Sequence, residues 1–301
     1  MAAVLSSLAA LVVVIGGAAW QPHAELPVPR TEVAAAPFRG DIAVVGGYLP
    51  DESSTDDVDL YDPATDDWSR LPDLPVAVNH AAAASAGGKL YVVGGYGGPG
   101  VRLRSAYVFD GRRWQVLRPM PGVRGAAGAA VVAGKLYVVG GVGPNGLAAR
   151  AFALDLKTGR WSSIRGPTPR EHLAVTAAAG KVYAVAGRLA SIDTNLRAFE
   201  SFSPATKRWT KLAPVPSARG GTGAAFAKGL VVSVGGEEPQ GTIGSVYGYN
   251  VTTKRWRRLA DLPTPRHGIG VATIGGRVYV IGGGTEPGLT VSGANESLTL
   301  P

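Results

Sequence analysis

Glycine pairs that close short apolar runs recur along this chain at a nearly constant interval, and this recurrence restricts the possible folds more than any other feature. Their first members are 48, 46, 46, 49 and 47 residues apart. Five pairs are intact and one copy is degenerate, at Gly46-Gly47, Gly94-Gly95, Gly140-Gly141, Ala186-Gly187, Gly235-Gly236 and Gly282-Gly283. An interval of about 47 residues is typical of a repeated supersecondary unit that buries its apolar faces against its neighbours.

Each interval predicts two β-hairpins. A further glycine stands six residues before every pair, as Gly88 does in "AGGKLYVVGG", and the stretch between them is strand-like. A second turn, such as "DPATDD" at 62–67, precedes a tryptophan that lies 25 or 26 residues before the next pair. All six tryptophans occupy this position, namely Trp20, Trp68, Trp114, Trp161, Trp209 and Trp256. Each unit therefore predicts four short antiparallel strands.

This pattern resembles the kelch repeat, over residues 20–301. The matching elements are the glycine pair, the Tyr three residues before it (Tyr91, for example), the aromatic-Asp step before the second turn (Tyr61-Asp62) and the Trp. The resemblance implies an all-β fold, a six-bladed kelch-type β-propeller. The last unit, from about His267 to Leu300, lacks a fourth strand, and residues 20–26 form a fourth strand without the other three. We therefore expect the N-terminal strand to complete the last blade and so remove its open edge.

The first nineteen residues precede the propeller domain (20–301) and are apolar apart from two serines. Their length and the small residues before Trp20 predict a secretory signal peptide, although no Lys or Arg precedes the apolar run. An uncleaved anchor, which would bring a membrane contact, and a misassigned start codon remain alternatives. We expect an extracytoplasmic protein.

The composition of the chain excludes several kinds of functional site. The chain has no cysteine, which excludes disulfides, thiolate metal sites and thiol nucleophiles. Its net charge of +8 raises the question of nucleic acid, but the basic residues are grouped beside turns, as at Arg112-Arg113, without a basic helix. We therefore predict no nucleic-acid partner. Nucleophile-elbow, phosphate-loop and HExxH motifs are all missing from the sequence.

One arginine register recurs nine or ten residues after each Trp. It is filled by Arg30, Val78, Arg124, Arg170, Arg219 and Arg266. A ring of guanidinium groups at the channel entrance is one interpretation, because guanidinium binds planar anions through paired hydrogen bonds. The favoured interpretation is structural, with each Arg bonding a neighbouring blade's backbone or a carboxylate between blades. Repetition in every blade favours it, since a ligand site should break the symmetry.

Two residues after each position of the arginine register, the residue type varies among the repeats and so breaks their symmetry. The positions hold Glu32, His80, Ala126, His172, Gly221 and Gly268. Two imidazoles and a carboxylate can bind a metal or move protons. However, these blades are not all adjacent and a central channel is expected to hold the side chains apart. We therefore predict solvent-exposed histidines, with no metal and no cofactor.

The residues directly after the glycine pairs also vary, and they are Tyr48, Tyr96, Val142, Arg188, Glu237 and Gly284. The loops that follow are the most variable part of the repeat, and such loops on a rigid scaffold usually carry recognition. Tyr48 and Tyr96 suit stacking on a sugar or a peptide.

The resulting prediction is a monomeric, non-catalytic module that binds a protein or glycan through this loop face. The alternative is an enzyme. Galactose oxidase is excluded because its cysteine-tyrosine crosslink needs a cysteine, whereas bacterial sialic acid mutarotases are similar exported six-bladed kelch propellers. By analogy alone, such an enzyme would hold a sugar acid and transfer its proton with a set of basic and acidic residues, namely Arg30, Arg124, Arg170, His172 and Glu237.

Overall fold

The computed structural model describes residues 19–300, so the predicted leader lies outside the described residues except for Ala19. This range forms 28 strands and one 3-10 helix, Ile192–Thr194. The strands build six four-stranded antiparallel sheets and two small two-stranded ribbons. The predicted all-β, six-bladed propeller is confirmed. Within residues 19–300, no helix is long and apolar enough to cross a membrane.

The six blades are numbered along the chain. Blade 1 contains β2 (Ala34–Phe38), β3 (Asp41–Val45), β4 (Val58–Asp62) and β5 (Asp67–Arg70). Blade 2 contains β6 (Ala82–Ala86), β7 (Lys89–Val93), β8 (Ala106–Phe109) and β9 (Trp114–Val116). Blade 3 contains β10 (Gly128–Val132), β11 (Lys135–Val139), β14 (Arg150–Asp155) and β15 (Arg160–Arg165), with the ribbon β12 (Val142–Gly143) and β13 (Gly146–Leu147).

The second half of the ring repeats this order. Blade 4 contains β16 (Ala174–Ala178), β17 (Lys181–Val185), β18 (Phe199–Ser203) and β19 (Arg208–Lys211). Blade 5 contains β20 (Gly223–Ala227), β21 (Leu230–Val234), β24 (Tyr247–Asn250) and β25 (Arg255–Arg258), with the ribbon β22 (Glu237–Glu238) and β23 (Gly241–Thr242). Blade 6 contains β26 (Gly270–Ile274), β27 (Arg277–Ile281), β28 (Asn295–Thr299) and, from the other end of the described chain, β1 (Ala19–Pro22).

The first strand of each blade lines a central channel and contacts the first strands of both neighbours. Small apolar side chains such as Ala35, Ala83 and Ala224 face this channel. The second strands are almost fully buried between blades. This arrangement explains the continuous apolar runs before the glycine pairs, because both faces of these strands pack against protein.

The glycine pairs join consecutive blades. The N–H of Gly47 donates to the carbonyl of Val78, and the N–H of Gly283 donates to that of Arg30. Gly46 has φ +60, and a Cβ there would collide with the carbonyl oxygen of Val78. The pair is thus required both by its left-handed backbone and by the close approach of the next blade.

Blade 6 closes the ring as predicted, although its fourth strand is shorter than residues 20–26. Strand β1 ends at Pro22, and Trp20 pairs with Leu298 of β28. The next residues remain attached through single hydrogen bonds, including one from the N–H of Leu26 to the carbonyl of Gly293 at 2.8 Å. The free edge that blade 6 would otherwise expose is covered.

Candidate functional site at the channel mouth

The channel mouth is the end of the channel where the loops between blades meet the glycine pairs. The six symmetry-breaking positions lie there in one ring, and every one has a left-handed backbone, with φ from 48 to 63°. Four of the six neighbouring pairs are hydrogen-bonded through their backbones. For example, the N–H of His80 donates to the carbonyl of Glu32 and that of Gly221 to the carbonyl of His172. These bonds tie the loops of neighbouring blades together at the mouth.

Glu32, His80 and His172, here called the mouth cluster, meet at the centre of this ring. Nε2 of His80 lies 3.0 Å from Nε2 of His172 and 3.2 Å from Oε2 of Glu32. One ligand-type atom from each residue lies within 4.8 Å of the others. The expectation that the channel holds these groups apart, as solvent-exposed histidines, is wrong. The histidine side chains are only 12% and 9% exposed.

The small residues at the other ring positions make this convergence possible. Ala126 lies between His80 and His172 in the ring and leaves space for the two imidazoles to touch. A Cβ on Gly268 would lie 2.8 Å from Oε1 of Glu32, and one on Gly221 would lie 3.2 Å from the Cβ of His267. Three large polar side chains therefore fill a space that six could not share.

A second set of polar residues surrounds the cluster, one position earlier in the loops. Nδ1 of His80 contacts Oδ1 of Asn79 at 2.5 Å, and Nδ1 of His172 lies 3.2 Å from Oε1 of Glu171. Nδ1 of His267 lies 3.5 Å from Oε1 of Glu32. Sequence reasoning missed these three neighbours. Each directly follows the arginine register, but the residue types at this position follow no pattern, and the β-bridge of each with the residue after a glycine pair is visible only in the structure.

Arg188 and Glu237, both predicted site residues, belong to this surrounding network. Nη1 of Arg188 donates to Oε1 of Glu237 at 2.6 Å, and its Nε donates to Oε1 of Glu171 at 3.1 Å. All three side chains are about nine-tenths buried. The network thus places alternating positive and negative groups along one side of the mouth.

The environment fixes the charge states of the cluster. Burial lowers the pKa of His80 to about 4, against the opposing charge of Glu32. The pKa of Glu32 lies below its ordinary value in spite of burial, because His80, His267 and His172 face the carboxylate. Burial also disfavours charge on His267, but Glu32 and Glu237 outweigh it and raise its pKa. At neutral pH the cluster therefore combines an ionised carboxylate with a neutral His80 imidazole.

Tyr48 and Tyr96 flank the same imidazole. Their rings meet that of His80 edge-on, with centroid distances of 5.8 Å and 5.4 Å. Both tyrosines are half-buried. They form the rim of the mouth, and part of each ring stays accessible from the loop face.

Below the cluster the channel contains a cavity of about 130 Å³. Glu32, His80 and His172 line its upper end, and alanine and valine side chains line its wall. A second cavity of about 360 Å³ continues towards the opposite end of the channel. The charged groups of the channel lining therefore lie at the mouth, whereas the second cavity is lined by apolar side chains and by Ser85, Thr176 and Thr273.

The ring of guanidinium groups, which was the less favoured interpretation of the arginine register, does not form. Arg30, Arg124, Arg170, Arg219 and Arg266 are at most 4% exposed. Each side chain bonds within the blade that it precedes, whereas its carbonyl accepts a hydrogen bond from the previous blade. The structural interpretation is correct, with one change. The side-chain partners lie in the same blade and not in a neighbouring one.

The partner of each register arginine is set by one position on the third strand. In blades 1, 4 and 6 this position is acidic, and the pairs are Arg30–Asp59, Arg170–Glu200 and Arg266–Glu296. In blade 3 it is Phe152, whose ring centre lies 4.1 Å from the Arg124 guanidinium carbon, and in blade 5 it is Tyr247. These guanidinium groups cannot gather around a sugar acid, as the mutarotase alternative requires.

Comparison with known proteins agrees with this architecture. Residues 32–215 match the family model described as the KLHDC2/KLHL20/DRC7 Kelch-repeats domain. The chain therefore belongs to the kelch-repeat family, whose propellers typically serve as protein-interaction modules. A stretch of 54 residues is 37% identical to the F-box/kelch-repeat protein SKIP30 of Arabidopsis thaliana. The match spans 18% of this chain and 15% of that protein.

Proposed function

We propose that this propeller is a non-catalytic binding module that docks a protein partner on its loop face. The loop face comprises the loops after the glycine pairs and the loops between blades. The observation that carries the proposal is the position of exposed large apolar side chains. Of the five in the described residues, four lie on this face, namely Val28, Val101, Leu189 and Leu289.

The two faces of the propeller differ in composition. The turns on the opposite face are polar, with sequences such as "DPATDD", "DLKTGR" and "NVTTKR". Exposed aliphatic groups around a rim with Tyr48 and Tyr96 match the centre of a protein interface, which is depleted of charge and enriched in aromatic residues. A glycan would instead favour convergent polar groups, and those of the mouth are mostly bonded to one another.

Site-specific photo-crosslinking in the cells that express the chain tests this proposal. A photoreactive residue at position 101 is expected to capture one discrete protein, and the same residue at position 158 or 252 on the opposite face is expected to capture none. Leu189→Asp and Leu289→Asp should reduce the adduct at position 101. Val116→Asp is the matched control, because Val116 is exposed on the outer strand β9.

Equal capture from both faces, or an adduct indifferent to Leu189 and Leu289, contradicts the proposal. Retention on a glycan array without any protein adduct contradicts it as well and favours a carbohydrate ligand.

The proposal includes a location outside the cytoplasm and a monomeric state. Location rests only on the apolar sequence of residues 1–19. Fractionation followed by N-terminal sequencing tests it, with a mature chain that begins near Trp20 as the expected result. A chain that retains Met1 in the cytoplasm contradicts it. A mass of about one chain in light scattering supports the monomer.

A further inference from the structure

We propose that Glu32, His80 and His172 bind a divalent transition-metal ion of the zinc class at the channel mouth. The inference does not depend on the partner proposed above. It rests on three acceptor atoms that converge from three different blades and on the groups that hold the two imidazoles.

The outer ring nitrogens face acceptors. Oδ1 of Asn79 accepts from Nδ1 of His80, while the amide nitrogen of Asn79 donates to Oγ of Ser54 at 2.7 Å. Nδ1 of His172 lies 3.2 Å from the carboxylate of Glu171 but makes no hydrogen bond to any of the described residues. The Asn79 contact assigns the proton of His80 to Nδ1, so Nε2 of His80 presents a lone pair to Nε2 of His172 at 3.0 Å. With its proton on Nε2, His172 donates to that lone pair, and with its proton on Nδ1, beside Glu171, it leaves both Nε2 atoms free for a metal.

With both protons on Nδ1, two lone pairs and a carboxylate oxygen at such distances would repel one another unless a cation lay between them. A tetrahedral ion with bonds of about 2.0–2.1 Å holds its ligand atoms about 3.3 Å apart. The separations from His80 to His172 and to Glu32 are 3.0 Å and 3.2 Å, and the third, from Glu32 to His172, is within 4.8 Å, so these two side chains would approach each other on binding. The pattern of an imidazole that binds a metal through one nitrogen and donates the other N–H to a carboxylate is common in metal sites.

The site offers three protein ligands, which leaves one coordination position for water or another small ligand. The cavity of about 130 Å³ beside the cluster provides the space for it. Imidazole and carboxylate donors suit zinc and its first-row neighbours better than the hard ions calcium and magnesium.

Titration of the chelator-treated chain with Zn²⁺ alone tests the proposal by calorimetry. One ion per chain is expected. Glu32→Gln and His172→Asn should each weaken binding by more than about 100-fold, since even outer partners such as Glu171 typically contribute about 10–100-fold. Co²⁺ should give the intense visible absorption of a four-coordinate ion, and His172→Asn should abolish it. His23→Gln is the matched control, because it removes a histidine far from the mouth and should not change binding.

A thermal melt of each variant shows whether it folds, and the isosteric Glu32→Gln tests the site if His172→Asn does not. Absence of saturable binding, or the same affinity in the ligand variants as in the unmodified chain, overturns the proposal. In that event an ordinary N–H···N hydrogen bond between the two imidazoles accounts for their separation.

Discussion

The indole nitrogen of Trp20 donates a 2.9 Å hydrogen bond to the carbonyl oxygen of Ala260, 240 residues away. The other five tryptophans donate in the same way to a carbonyl only 42 to 44 residues earlier in the chain. Trp20 thus makes, between the two ends of the described chain, the contact that its equivalents make between consecutive blades.

Removal of this closing contact should affect the whole ring. Trp20→Phe loses one hydrogen bond and should lower the free energy of unfolding by about 1 kcal/mol. A chain that begins at Glu25 loses strand β1 entirely and exposes the edge of β28, so we expect a much lower melting temperature and aggregation. Calorimetry and light scattering measure both effects.

Trp161→Phe is the control for Trp20→Phe, because Trp161 donates an equivalent bond to Arg118 within the ring. A chain beginning at Glu25 that melts like one beginning at Ala19 would show that β1 does not close the propeller.

The loss of stability on replacing a buried arginine should depend on whether its partner is a carboxylate. Arg170→Ala leaves the Glu200 carboxylate buried without its cation, and removing one member of a buried pair typically costs about 3–5 kcal/mol. The double variant Arg170→Ala with Glu200→Gln should recover part of this loss. Urea denaturation gives the free energies.

Arg124→Ala serves as the comparison, since its guanidinium group contacts carbonyls and the Phe152 ring and no carboxylate. We expect a smaller loss of stability there. Equal losses at Arg124 and Arg170, with no recovery in the double variant, would mean that the charge pair contributes nothing specific.

Acidification should lower the stability of the segment around His23, which follows the closing strand β1. Burial lowers the pKa of His23, with Asp66 opposing and Arg277 assisting. Its ring packs between Tyr61 and Tyr279 and bonds Oγ of Ser297 at 2.8 Å. Because the folded state binds this proton less readily than the unfolded chain, the stabilisation is present above pH 6.5 and is lost as the pH falls through the folded pKa.

Melting temperatures of the unmodified chain and of His23→Gln, measured from pH 8 to pH 4, check this. The unmodified chain should lose more stability below pH 6.5. The other histidines are present in both proteins, so their contributions cancel. Parallel curves would refute the assignment.

A methyl group at position 268 should disturb the mouth. Gly268 has φ +61, and an added Cβ would lie 2.5 Å from Oγ1 of Thr31 and 2.8 Å from Oε1 of Glu32. We expect Gly268→Ala to cost at least about 1–3 kcal/mol, the usual range for left-handed strain. Ala126→Gly, at φ 50 in the same ring, should be nearly neutral. A rise in melting temperature for Gly268→Ala, typical of an ordinary glycine, would contradict this explanation.

The repeated sequence features predict the parts of the structure that recur in every blade. The glycine pairs and tryptophans fix the number of blades and the closing strand, because each has a steric or packing role that recurs in every unit. The repeat did not predict two local features, because both depend on contacts between loops. These are the end of β1 at Pro22 and the ribbon formed by Val142–Gly143 and Gly146–Leu147. The buried role of the arginine register followed from its repetition.

The sequence predicted only part of the arrangement at the channel mouth. Repeat spacing placed Glu32, His80 and His172 in one register, but it says nothing about the channel radius, which the packing of six inner strands determines. The neighbours Asn79, Glu171 and His267 have no repeat partner of similar chemistry, so no pattern marked them.

The ring of left-handed positions has a consequence for how this protein can vary. Because three loops deliver their side chains to one point, residues 48 and 92 positions from His80 share its immediate surroundings, and distance along the chain says nothing about independence. Substitutions at 32, 80 and 172 should therefore be strongly non-additive, and each should alter what the others tolerate. Positions 32, 80 and 172 are therefore expected to vary together as one unit, while the blades that carry them stay the same.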